Sequence, residues 1–138
     1  MVNKDVIKQR LSQLSNSLNK VEKFQHMSLE EFLHDDIAQD VVEYNLFIII
    51  NMMIDIAAHI VVDDNLGNPE TLGEAFSILN KKNYLDDNEA ETYRKMTGLR
   101  NILAHEYLKI DKKIIYNVLQ TNLVDIKKFV IFIHEKFI

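Results

Sequence analysis

A chain of 138 residues with 47% apolar content is about one domain long and can bury a sizeable core. One proline and three glycines leave few turn-makers, which argues against an all-β or disordered chain and for an all-α one. The lack of cysteine excludes disulfides, thiolate zinc sites and a cysteine nucleophile, and the net charge of -5 argues against a protein that coats nucleic acid.

The first helix is expected from about Lys4 to Phe24, where Ile7, Leu11, Leu14, Leu18 and Val21 make one apolar stripe. This segment has no apolar h-region of a signal peptide, so the cytoplasm is the expected compartment. Ser28-Leu29-Glu30-Glu31 carries a capping-box pattern and predicts a short helical turn. Asp35 or Asp36 then caps a long helix to about Val62, ended by Asp63, Asp64, Asn65 and Gly67. Its most apolar stretch, Leu46 to Val62, is interrupted by Asn51, Asp55 and His59, which makes it a buried helix and not a membrane span.

Thr71 to Leu79 predicts a short helix with Leu72, Ala75, Phe76 and Leu79 inward. Asp87 is expected to cap a helix from Asn88 to about His105. A last helix should run unbroken from Asp111 to the C-terminus on the inner line Ile115, Val118, Asn122, Ile126, Phe129, Ile133 and Phe137. Four main helices imply an up-and-down four-helix bundle with one or two short extra helices.

Charge is unevenly spread. No Lys or Arg occurs between Lys23 and Lys81, where eleven acids fall, whereas residues 81 to 113 hold eight of the sixteen basic residues. An anionic ligand should therefore meet the later segment.

That segment contains Arg100-Asn101-Ile102-Leu103-Ala104-His105-Glu106-Tyr107. With three arginines, five histidines and five tyrosines in the chain, an Arg-x4-His-x-Tyr string is expected by chance only about 0.004 times. Tyr93, Met96, Arg100, Leu103 and Tyr107 fall at heptad-like spacing, so Arg100 lies in line with residues that face a core or an interface. A guanidinium there keeps its proton and needs a carboxylate, a carbonyl, water or a phosphate; the bland alternative is an Arg that snorkels past its own apolar stem. His105, five residues on, lies about 140° around a regular helix from Arg100, which makes Arg94 an alternative cationic neighbour. If Arg100 and His105 share one phosphate, either the helix end is distorted or two chains combine.

The eight-residue string resembles the signature of HEPN-type toxin ribonucleases of bacterial toxin-antitoxin pairs. The resemblance implies a single helical domain over residues 1–138, homodimeric, in which both protomers' signatures line one cleft. It implies RNA cleavage without a metal or other cofactor, the ribose 2′-OH attacking the adjacent phosphate. His105 would act as general acid/base, since an imidazole's ordinary pKa of about 6.5 suits that work. Arg100 would offset charge on the phosphoryl oxygens, and Asn101 would orient His105 or hold the phosphate. DNA, lacking the 2′-OH, should resist. In family members paired with a minimal nucleotidyltransferase (MNT) antitoxin, the signature tyrosine accepts AMP, so Tyr107 is the implied modification site and such an enzyme the implied partner. A non-catalytic helical subunit of a nucleotidyltransferase complex is the rival reading, with no membrane in either.

Asn51, Asp55 and His59 recur every four residues as a polar line. The bland expectation is an Asp55-His59 pair with contacts across the bundle; the functional one is Asp55 binding Arg100 or orienting His105. A metal site lacks further ligands in the sequence. His26, His34 and His134 should be solvated, and Met52 and Met53 should pack.

Overall fold

In a computed structural model, the structure describes residues 1–138 except for the side chain of Tyr107. Helix α1 (Lys4–Glu22) starts where Asn3 Oδ1 accepts from the backbone N–H groups of Asp5 and Val6. Its stripe of Ile7, Leu11, Leu14, Leu18 and Val21 is buried as the spacing requires. The expected capping box opens α2 (Leu29–Leu33): Ser28 Oγ accepts from Glu31 N at 3.1 Å, and Glu31 Oε1 accepts from Ser28 N at 2.9 Å. That backbone bond holds the Glu31 carboxyl below its ordinary pKa.

Asp35 caps α3 (Asp36–Asp63), the 28-residue axis against which α1, α2 and most of the later helices pack. By length and composition α3 is apolar enough to cross a membrane, a test that a core helix also passes. Over half of its most apolar stretch is buried by its neighbours, which accounts for that composition by burial in the bundle. The helix stops at Asn65, whose φ of 55° lets Leu66 N donate to Val61 O at 2.9 Å, so Asn65 and not Gly67 supplies the left-handed residue.

Two expectations shift. The fourth helix, α4 (Glu74–Lys81), begins after Gly73, three residues later than expected, and leaves Leu72 on the surface while Ala75, Phe76 and Leu79 are buried. Asp86, not Asp87, caps α5 (Asp87–His105), because Asp86 with Glu89 completes a capping box that Asp87 with Ala90 cannot.

After a 3-10 turn at Tyr107–Lys109, the expected single C-terminal helix is two, α6 (Lys112–Thr121) and α7 (Leu123–Phe137). Polar side chains at the junction compete for backbone and local partners: Thr121 Oγ1 donates to Asn117 O, and Asn122 Nδ2 donates to Asp125 Oδ2. The break moves the inner line to Ile115, Leu119, Leu123 and Ile126, with Val118 and Asn122 only half-buried. The four long segments, counting broken α6–α7 as one, form the expected bundle, with a core in which Tyr93 lies edge-on to Phe129 and tilted against Phe76. The Tyr93 hydroxyl donates to Asp125 O at 3.2 Å. Burial, reinforced by the charges of Glu89, Asp125 and Asp86, pushes the pKa of that hydroxyl above its ordinary value.

Candidate active site

The heptad-like line on α5 is real: Tyr93, Met96 and Leu103 are buried, and half-buried Arg100 sits between them. Its guanidinium turns to α3. Arg100 Nε donates to Asn51 Oδ1 at 2.7 Å, a second nitrogen donates to Asn101 Oδ1 at 3.3 Å, and Cζ lies 5.3 Å from the centre of the Phe47 ring. All three contacts are uncharged. They orient the cation and satisfy part of its donor fork without neutralising it.

The functional alternative for Asp55, a contact with Arg100, is not met, and the structure places Asp55 elsewhere. Arg10 of α1 donates its Nε to Asp55 Oδ2 at 2.5 Å, and His59 Nε2 lies 3.8 Å from Asp55 Oδ1. One turn of α3 separates Asn51 from Asp55, and Arg10 arrives from a different helix, so Asp55 is occupied without reaching Arg100. The bland expectation of an Asp55-His59 pair with a contact across the bundle describes this cluster.

Arg94, the alternative neighbour of His105, reaches α4 instead, donating to Ser77 Oγ at 3.0 Å. Asn101 contacts Arg100, not His105. His26, His34 and His134 are all exposed, and Met53 is core.

His105 is the last residue of α5 and is exposed. The helix keeps its pattern to that point, since Glu106 N still donates to Ile102 O at 2.7 Å. A regular end leaves the 140° offset between Arg100 and His105 intact, so Arg100 faces α3 while the imidazole stands free at the tip. A hollow of about 260 Å³ beside it is lined by His105, Glu106, Leu108 and Lys109. On the α3 side of the same helix end, a groove of about 320 Å³ is lined by Asp40, Glu43, Tyr44, Phe47, Leu103 and Ala104. The side chain of Tyr107, the expected AMP acceptor, lies outside the described residues.

Sequence reasoning missed Phe47 and Tyr44 as site residues, and Arg10 as the partner of Asp55. Arg10 carried a signal, since it falls three residues after Ile7 and four before Leu14, along the edge of the buried stripe.

A helical bundle with an arginine in no ion pair among the described residues and an exposed histidine at the end of one helix is the arrangement the HEPN resemblance implied. This chain belongs to the HepT-like ribonuclease family, whose model matches residues 14–133. It is 29% identical over 126 residues to an mRNA nuclease HepT of Shewanella oneidensis, covering 91% of this chain and 94% of that one. It is 35% identical over 106 residues to a tRNA nuclease HepT of Aphanizomenon flos-aquae, covering 77% and 72%. Its fold matches that of a tri-AMPylated Shewanella oneidensis HEPN toxin solved in complex with an MNT antitoxin, with a TM-score of 0.87, 28% identity and coverage of 96% and 98%.

Proposed function

We propose that this chain is the endoribonuclease toxin of a toxin-antitoxin pair, cleaving RNA without a metal and silenced when a partner nucleotidyltransferase transfers AMP to Tyr107. The observation that carries the reading is the uncompensated charge of Arg100. A guanidinium oriented by Asn51, Asn101 and Phe47 and paired with no carboxylate among the described residues is poised for an anion, and a phosphodiester supplies one. Family membership and the nuclease names of the relatives favour this over a non-catalytic subunit.

In the proposed reaction His105 takes the proton of the 2′-OH, or gives one to the leaving 5′-oxygen, while Arg100 stabilises charge building on the phosphoryl oxygens. Breaking the phosphorus-oxygen bond to the 5′ side leaves a cyclic phosphate and a free 5′-hydroxyl. The regular end of α5 supports a homodimer in which Arg100 of one copy and His105 of the other meet on one phosphate, each copy acting as one HEPN-like domain. AMP on Tyr107, two residues past His105, would add bulk and negative charge where RNA must enter. The compartment is the cytoplasm, where RNA and an ATP-using partner are both present.

The test is cleavage of RNA by the free chain and by His105→Ala. His105 is exposed, so the variant should fold like the wild type while cleavage falls roughly 10²- to 10⁴-fold. Equal cleavage by both would remove His105 from the chemistry. No cleavage by the wild type would remove the function.

A further inference from the structure

The groove beside Arg100 has a composition that phosphate chemistry does not explain. It shares Phe47 with the Arg100 contact, and Leu103 and Ala104, the residues just before His105, form its other wall. Anything bound there is continuous with the phosphate proposed for Arg100. Its polar groups are two carboxylates. Glu43 is 8% exposed, and its Oε1 accepts from Lys112 Nζ at 2.5 Å, whereas Asp40 is exposed and in no ion pair among the described residues. The segment that supplies the acids contains no Lys or Arg from residue 24 to residue 80. With one carboxylate countered and one not, the groove repels phosphate and favours N–H donors.

Tyr44 completes the pattern. It is 65% exposed at the groove and stacks on no other aromatic ring among the described residues. An exposed tyrosine has a rigid face and few rotatable bonds, so a flat ring can lie on it at little cost in entropy. A volume of about 320 Å³ is at the small end for ligand clefts, of about 300–1,000 Å³.

We infer that this groove is the subsite for an unpaired nucleobase next to the scissile phosphate, one bearing an exocyclic amino group. The inference rests on the ribonuclease reading above. Tyr44 stacks the base, and the Asp40 carboxylate, with Glu43 held in place by Lys112, accepts from its amino N–H. Adenine, cytosine and guanine each present such a donor on the Watson–Crick edge. Uracil offers one ring N–H flanked by two carbonyl oxygens, which face the carboxylates unfavourably. The groove therefore selects the cleavage site by excluding uracil, while Arg100 and His105 act on a backbone common to all sequences.

The experiment uses short unpaired oligonucleotides with a single ribose, which fixes the scissile bond, flanked by adenine, cytosine, guanine or uracil. Wild type should cleave the three amino-bearing substrates at least about 10-fold faster in kcat/KM than the uracil one. Tyr44→Ala should lose roughly 10-fold or more on the preferred substrates, and Tyr44→Phe should retain them. Asp40→Asn should cleave the uracil substrate as well as the others. In a second measurement, His105→Ala binds an RNA carrying 2-aminopurine at the flanking position, and its fluorescence quenching should vanish when Tyr44 is also replaced by Ala. Wild-type cleavage with the same base profile in Tyr44→Ala and Asp40→Asn would overturn the subsite. So would a Tyr44→Ala chain that loses only its dimer, which would make the groove a contact between copies. If the wild type cleaves none of the substrates, the ribonuclease reading itself falls, a result distinct from cleavage without base preference.

Discussion

Two arginines meet α3 one turn apart, and the contrast between them separates structure from function. Arg10 closes on the carboxylate of Asp55, with His59 on the other side, so its charge is answered inside the protein. Arg100 closes on the amide of Asn51 and the face of Phe47 and keeps its charge. The same kind of side chain, reaching α3 from α1 in one place and from α5 in the other, is thus neutralised in the first and left charged in the second, where the proposed function uses it as an anion receptor. The difference lies in the partner: aspartate at 55, asparagine at 51.

Converting one arrangement into the other is the strongest way to break the contrast. Asn51→Asp would place a carboxylate under Arg100 and make it resemble Arg10. Cleavage at saturating RNA should fall roughly 10²-fold, the scale of losing one charge-stabilising donor, while thermal melting stays level or rises. A variant that cleaves normally would show that the charge of Arg100 is not what matters. The reverse change, Asp55→Asn, should leave cleavage nearly unaltered and lower stability in urea by about 0.5–1 kcal/mol, since both partners are partly exposed. A large loss of cleavage there would return Asp55 to the site.

The smallest expected effect lies away from both arginines. The Ser28 backbone bond lowers the folded-state pKa of Glu31, so its contribution is fully present above the ordinary value of 4.5 and is lost as pH falls through the lower folded value. Glu31→Gln should therefore be slightly less stable than wild type at neutral pH, and the gap should close in acid. A gap that persists in acid would assign the effect to packing.

The helices were legible because their signals are local. The α1 stripe and the Ser28–Glu31 box both stand in the sequence, and the box at Asp86–Glu89 was readable by the rule used at Ser28, although N-cap preference alone had set the cap one residue late at Asp87. The break at Asn122 was less so, because its apolar line continues across the junction and only the side-chain bonds of Thr121 and Asn122 reveal the stop. At the site, the string from Arg100 to Tyr107 identified the helix, and the apolar line through Arg100 announced that it needed a partner. Which partner depends on how α1, α3 and α5 are rotated against each other, and no local pattern encodes that. Asp55 was the chemically stronger choice for Arg100, and Arg10 already held it.

The regular end of α5 has a further consequence. Tyr93 is clamped between Phe76 and Phe129, and from there an unbroken ladder runs twelve residues, about 18 Å, to the imidazole at the tip. The helix is anchored along its length, at Tyr93, Met96, Leu99, Arg100 and Leu103, and only its last residues stand clear, with a histidine in open solvent. The aim of the imidazole is set by that anchored backbone and needs no cage of neighbours around the ring. That leaves the tip open to a long polymer on one occasion and to a modifying enzyme on another.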